Sequence, residues 1–235
     1  MSKPTLYFLP GTMCDETLWV DVWPELEAGF ELVALAIPKE NSFEKMAKAL
    51  TSQLPGEPAN LVGFSLGGYL ASYFASCYPD RVKQLLNIAN SPCGLPESEL
   101  KQRRQTLAWL KHAEYKGAVA QRIQQLLGIK SKNDFDMIKH IQQMERSVGL
   151  EQLVPQLTAS SERDDLTAFF QHTDIPVMFL FGSEDVLVNF GWFHSLSNPN
   201  IKQKYVEEVG HMMPLESPEV VAGAIKAFFG PKESV

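Results

Sequence analysis

Gly63-Phe64-Ser65-Leu66-Gly67, followed at once by Gly68, stands between a short apolar run and a longer stretch of small and apolar residues. Asn60 to Phe64 has the length and continuous apolarity of a strand covered on both faces. Leu66 to Cys77 reads as a helix that Pro79 ends. A strand that passes into a helix within one residue leaves that residue on a sharp, strained turn at the end of a sheet. Small neighbours are needed for the two elements to pack so closely, and Gly63 and Gly67 supply them. The five-residue pattern alone arises by chance in about one such chain in ten. Its strand-to-helix setting is what narrows the fold.

The same alternation runs through the chain. Leu6 to Leu9 is a short strand stopped by Pro10-Gly11, and Glu31 to Ile37 ends at Pro38. Gln84 to Ala89 and Pro176 to Phe181 follow, with Ile201 to Val206 as a weaker sixth. Between them, Ser42 to Leu54 carries Phe43, Met46, Ala47 and Leu50 at helical spacing, with Ser42 as N-cap. Ser217 caps a last helix with Pro218 in its first turn. Strands alternating with helices predict an α/β fold with a mostly parallel sheet flanked by helices.

Pro96 to Thr173 breaks that rhythm. No strand pattern appears, and three helical ones do: Leu100, Leu107 and Leu110; Val119, Ile123, Leu126 and Leu127; Phe135, Ile138 and Ile141. The expected organisation is a core of residues 1–95 and 174–235 with a helical insertion over 96–173. A chain of 235 residues suits one α/β domain carrying such an insertion.

A formal net charge of −7 excludes a general attraction for nucleic acid or anionic membrane. Cys14, Cys77 and Cys93 show neither metal-site spacing nor the density of a disulfide scaffold. No apolar stretch approaches the ~20 residues of a membrane span. The first ten residues hold one lysine and a four-residue apolar run, unlike a secretory signal. A cytoplasmic protein is expected.

Chemistry concentrates at strand ends. Gly182-Ser183-Glu184-Asp185 follows one strand and Val209-Gly210-His211 the last, so the order along the chain is serine, carboxylate, histidine. A serine hydroxyl is a poor nucleophile until a base takes its proton. An imidazole, titrating ordinarily near ~6.5, can accept that proton and return it to the leaving group. A carboxylate behind the ring holds its tautomer and stabilises the imidazolium. Ser65, His211 and Asp185 are assigned these roles, with Glu184 the neighbouring alternative to Asp185. The Leu66 amide, at a helix N-terminus, is one donor to a developing oxyanion. The loop after the first strand supplies the other, from Thr12 or, in reserve, Met13. No metal or organic cofactor is required.

Together Leu9-Pro10-Gly11-Thr12, Trp19, Gly63 to Gly67, Pro79-Asp80-Arg81-Val82, Phe181 to Asp185 and Gly210 to Pro218 resemble the α/β-hydrolase superfamily. The likeness is to its compact members, which include small carboxylesterases, enol-lactonases and thioesterase-like hydrolases. It implies a triad of Ser65, Asp185 and His211, an oxyanion hole from Thr12 and Leu66, a cap over 96–173, and a small-molecule acyl substrate cleaved through an acyl-enzyme. Many relatives have His-Gly where this chain has Pro10-Gly11. The triad is common to esterases, thioesterases, lactonases, acyltransferases and carbon–carbon bond hydrolases, and a ligand-binding protein can keep the fold without activity. Cys14 is expected as a packed thiol; His112, His140, His172 and His194 lie scattered. Lys101, Arg104 and Lys111 read as a solvated helix face, and Trp109, Tyr115, Trp192 and Phe193 as pocket or packing aromatics.

Overall fold

Six apolar runs form six strands: β1 (Thr5–Leu9), β2 (Glu31–Ala34), β3 (Ala59–Phe64), β4 (Val82–Ile88), β5 (Val177–Gly182) and β6 (Ile201–Val206). They make one parallel sheet in the order β2-β1-β3-β4-β5-β6. The computed structural model describes residues 3–112 and 114–231. β2 stops three residues short of the expected Ile37. β6 lies at the far edge and alternates little, its Lys202, Gln203 and Lys204 facing solvent, as suits an edge that must not pair with another chain.

Side chains alternate between the two faces of the sheet. Phe8, Val62, Leu86 and Leu180 point to one face, and Leu9, Leu61, Leu85 and Phe179 to the other. Helix α1 (Phe43–Leu50) and helix α2 (Leu66–Cys77) cover the second face. The Ser42 hydroxyl accepts from the Lys45 amide at 3.4 Å, the expected cap.

Between β4 and β5 the chain forms α3 (Glu97–Leu110), α4 (Ala120–Gln124), α5 (Phe135–Val148), α6 (Leu153–Ser161) and α7 (Thr167–His172), two more helices than the spacing suggests. Helix α5 turns Ile138, Ile141 and Met144 onto the first core, whereas α3 buries no residue fully and leaves Trp109 56% exposed. After β5 come α8 (Phe190–Phe193), α9 (Met213–Glu216) and α10 (Pro218–Phe229); Val221 and Ile225 of α10 close the first face. Ser217 precedes α10 as expected but makes no side-chain cap bond. Its amide instead closes α9 onto the Met213 carbonyl at 3.0 Å.

Candidate active site

Ser65 lies between the last residue of β3 and the first of α2, with φ 51° and ψ −115°, a backbone conformation that costs about 1–3 kcal/mol and persists only where its surroundings impose it. Two features impose it here. The Ser65 amide donates to the Ile88 carbonyl of β4 at 2.9 Å. The glycines around it leave no space to relax: a Cβ on Gly63 would stand 2.6 Å from the Gly67 carbonyl oxygen, and one on Gly67 would collide with the Leu9 and Pro10 carbonyls. Beneath the turn, the Asn87 amide donates to Ser72 Oγ at 2.8 Å and to the Gly68 carbonyl at 3.1 Å, tying α2 to β4.

From the other half of the sheet come Asp185, just beyond β5, and His211, in the loop after β6. A Cβ on Gly182 would collide with the Val209 carbonyl, so these two loops lie against each other because residue 182 has no side chain. His211 Nδ1 lies 2.8 Å from Asp185 Oδ2, and His211 Nε2 lies 3.0 Å from Ser65 Oγ. The other carboxylate oxygen of Asp185 accepts the Leu187 amide at 2.8 Å. Asp185 and His211 are 3% and 4% exposed, so their mutual interaction is little screened by water. With its proton on Nδ1 facing the carboxylate, the ring presents the Nε2 lone pair to the serine hydroxyl. Three residues far apart in sequence thus meet in one hydrogen-bonded line. Glu184 stands outside it, accepting the Ile129 amide at 2.7 Å.

Gly11 to Cys14 forms a turn in which the Cys14 amide donates to the Gly11 carbonyl at 3.2 Å and Met13 has φ 56°. The Met13 amide donates to Oε1 of the buried Gln156, on α6, at 2.9 Å, and is therefore engaged. The Thr12 and Leu66 amides donate to no acceptor among the described residues. An ideal Cβ on Gly11 would lie 3.3 Å from Ser65 Cβ, so the turn abuts the serine. Burial pushes the Cys14 thiol up to about 12, and its Sγ sits 3.4 Å from the Thr12 carbonyl oxygen, a packed group with no thiolate character.

The insertion also reaches the histidine loop. The Leu126 carbonyl accepts the His211 amide at 2.7 Å, and Oε2 of Glu216 accepts both the Gly128 amide at 2.7 Å and the Gly210 amide at 3.1 Å. The parts played by Gln156 and Glu216 are not legible in the sequence, since a single polar residue on a short helix carries no mark of a partner far away along the chain. Trp192 and Phe193 pack in the second core. Tyr115 hydrogen-bonds Glu145 at 3.2 Å, and burial pushes its hydroxyl up to about 12. Among the described residues no cluster of histidine, cysteine and carboxylate could hold a metal ion, and no helix is long and apolar enough to cross a membrane.

A sequence profile of the alpha/beta hydrolase fold matches residues 38–218. A pimeloyl-(acyl-carrier protein) methyl ester esterase of Aeromonas hydrophila is 25% identical over 249 residues, covering 97% of this chain and 96% of its own length. One from Wigglesworthia glossinidia brevipalpis is 24% identical, covering 95% and 92%. The structure of a thermophilic esterase from Thermogutta terrifontis superposes with a TM-score of 0.83 at 23% identity, covering 97% of this chain and 90% of that one.

Proposed function

We propose that this chain, which belongs to the alpha/beta hydrolase fold family, hydrolyses a carboxylic ester through an acyl-enzyme formed on Ser65. The observation that carries the reading is the line from Ser65 Oγ through both nitrogens of His211 to Asp185, at 3.0 and 2.8 Å. As Ser65 attacks the acyl carbon, its proton passes to His211 Nε2, and Asp185 stabilises the imidazolium. The carbonyl oxygen takes up negative charge between the Leu66 and Thr12 amides, whose lack of another acceptor suits them to it. His211 then protonates the departing alcohol. A water deprotonated by the same nitrogen attacks the acyl-enzyme, and collapse of the second oxyanion releases the acid and restores Ser65.

Residues 96–173 are the cap over this site. The substrate is a small-molecule acyl compound met in the cytoplasm. The two relatives are pimeloyl-(acyl-carrier protein) methyl ester esterases, which makes esters of small alcohols with extended acyl chains the class to assay first. Ser65→Ala is expected to lower kcat/KM on such an ester by about 10³-fold or more while the fold is retained. Turnover within tenfold of the unaltered protein rejects the reading.

A further inference from the structure

We propose that Glu216 is a positioning residue for His211: its carboxylate fastens a strap of the insertion, residues 126–130, to the loop that carries the imidazole, and so sets where Nε2 meets Ser65 Oγ. The proposal rests on the reading of His211 as base and adds a role for a residue outside the triad.

His211 lies between β6 and α9, in neither helix nor strand, so its place depends on what its loop is tied to. Three backbone groups of that loop are tied to three different segments. The Val209 carbonyl accepts the Glu184 amide at 2.9 Å, the Gly210 amide donates to Glu216 Oε2 at 3.1 Å, and the His211 amide donates to the Leu126 carbonyl at 2.7 Å. The last is the direct hold on the base, and it comes from the strap. Carboxylates hold the strap in turn. Glu216 Oε2 accepts the Gly128 amide at 2.7 Å, and Oε2 of Glu184, next to Asp185, accepts the Ile129 amide at 2.7 Å.

One oxygen of Glu216 therefore receives an N–H from the strap and an N–H from the histidine loop. The two backbones touch there: an ideal Cβ on Gly210 would stand 2.4 Å from the Gly128 nitrogen. Two N–H groups aimed at one point repel unless an acceptor lies between them, and each is left unsatisfied when it is removed. Without that oxygen the strap must draw back, and the Leu126 carbonyl, two residues from Gly128, leaves the His211 amide. Apolar packing does not replace the contact. Ile123 and Leu127 share a core with Val209 and Met212, which keeps strap and loop close, but such packing is non-directional and fixes no hydrogen-bond register. The Lys130–Glu208 ion pair is exposed and adds little. Burial raises the Glu216 carboxyl above its ordinary value, so near neutral pH its charge opposes folding, and what it contributes is placement.

Glu216→Leu removes the acceptor and the charge together; Glu216→Gln keeps an acceptor for the two amides, with its NH2 where the partnerless oxygen was. With an activated ester, Glu216→Leu is expected to lose about 10²-fold in kcat, the scale of a misplacement of about 1 Å, with KM within about threefold. Glu216→Gln should stay within about fivefold of the unaltered protein. Amide exchange at His211, followed by NMR, reads the placement without any substrate: slow in the unaltered protein and in Glu216→Gln, fast in Glu216→Leu, with the amides of β3 still slow. A merely structural role would speed the two sets together. If the unaltered protein turns over no ester, the functional reading fails, and His211 exchange still decides this inference. Fast His211 exchange in the unaltered protein, slow exchange retained in Glu216→Leu, equal acceleration at His211 and in β3, an undiminished kcat in that variant, or equal losses in both variants overturn it. Should Glu216→Leu not fold, Glu216→Ala takes its place under the same criteria, and failure of both to fold also overturns it.

Discussion

The junction of β3 and α2 and the helices of residues 96–173 contribute to one site by opposite means. At the junction every residue of β3 is buried, and backbone approaches backbone so closely that glycine is the residue that fits at 63 and 67. In the insertion, α3 buries no residue fully and α5 offers a single apolar face, so contact with the sheet is partial. Yet that looser region contributes the Leu126 backbone carbonyl to the His211 amide and the Gln156 side-chain oxygen Oε1 to the Met13 amide. Ser65 is held by backbone packing around Gly63 and Gly67, whereas the loops carrying His211 and Thr12 combine close backbone approaches, as at Gly182, with hydrogen bonds from the insertion. Steric constraints tolerate almost no substitution. Hydrogen bonds can be lost one at a time without a collision, so the contacts from the insertion bear substitutions that the junction does not.

The sharpest way to break this contrast is Gly67→Ala. Its Cβ would collide with the Leu9 and Pro10 backbone carbonyls at the end of β1, which cannot swing aside, so the expected loss is about 4 kcal/mol or more and the soluble, cooperatively folding protein disappears. A cooperative thermal transition within a few degrees of the unaltered protein would show that the junction has slack the contrast denies it.

A smaller effect sharpens the account of the other side. Burial raises the Glu216 carboxyl above its ordinary 4.5, and one of its oxygens is buried without a partner. The folded state therefore holds this proton more tightly than the unfolded chain does. Stability from this group is full below pH 4.5 and is lost as pH rises through the elevated folded value. Glu216→Gln retains an acceptor for Gly128 and Gly210 and removes the titration. Its Tm relative to the unaltered protein should rise between pH 4.5 and pH 7, whatever the offset at either end. A difference that is constant or falls over that range would mean the carboxylate is not strained where it joins the insertion to the histidine loop.

The contrast also explains what could be read in advance. β3, α2 and the Ser65 turn were legible because steric demands select residue types, and small residues between a strand and a helix leave a local pattern. The order of Ser65, Asp185 and His211 was legible because each follows a strand. β6 gave a weak signal because an edge strand buries little. The helices of 96–173 were undercounted because α6 and α7, nine and six residues long, are too short for a sustained periodic pattern. Gln156 and Glu216 left no trace, since their partners are chosen by how separate elements dock. Thr12 stood first with Met13 in reserve, and the contact that engages Met13 left no trace for the same reason, since its partner lies 143 residues away.

The most direct measurement is reaction with a fluorophosphonate, followed by peptide mass analysis of the adduct. The account predicts one phosphonyl group on Ser65, formed rapidly in the unaltered protein, slowed by orders of magnitude in His211→Ala and absent in Ser65→Ala. An unlabelled protein, or an adduct carried elsewhere on the chain, would contradict it.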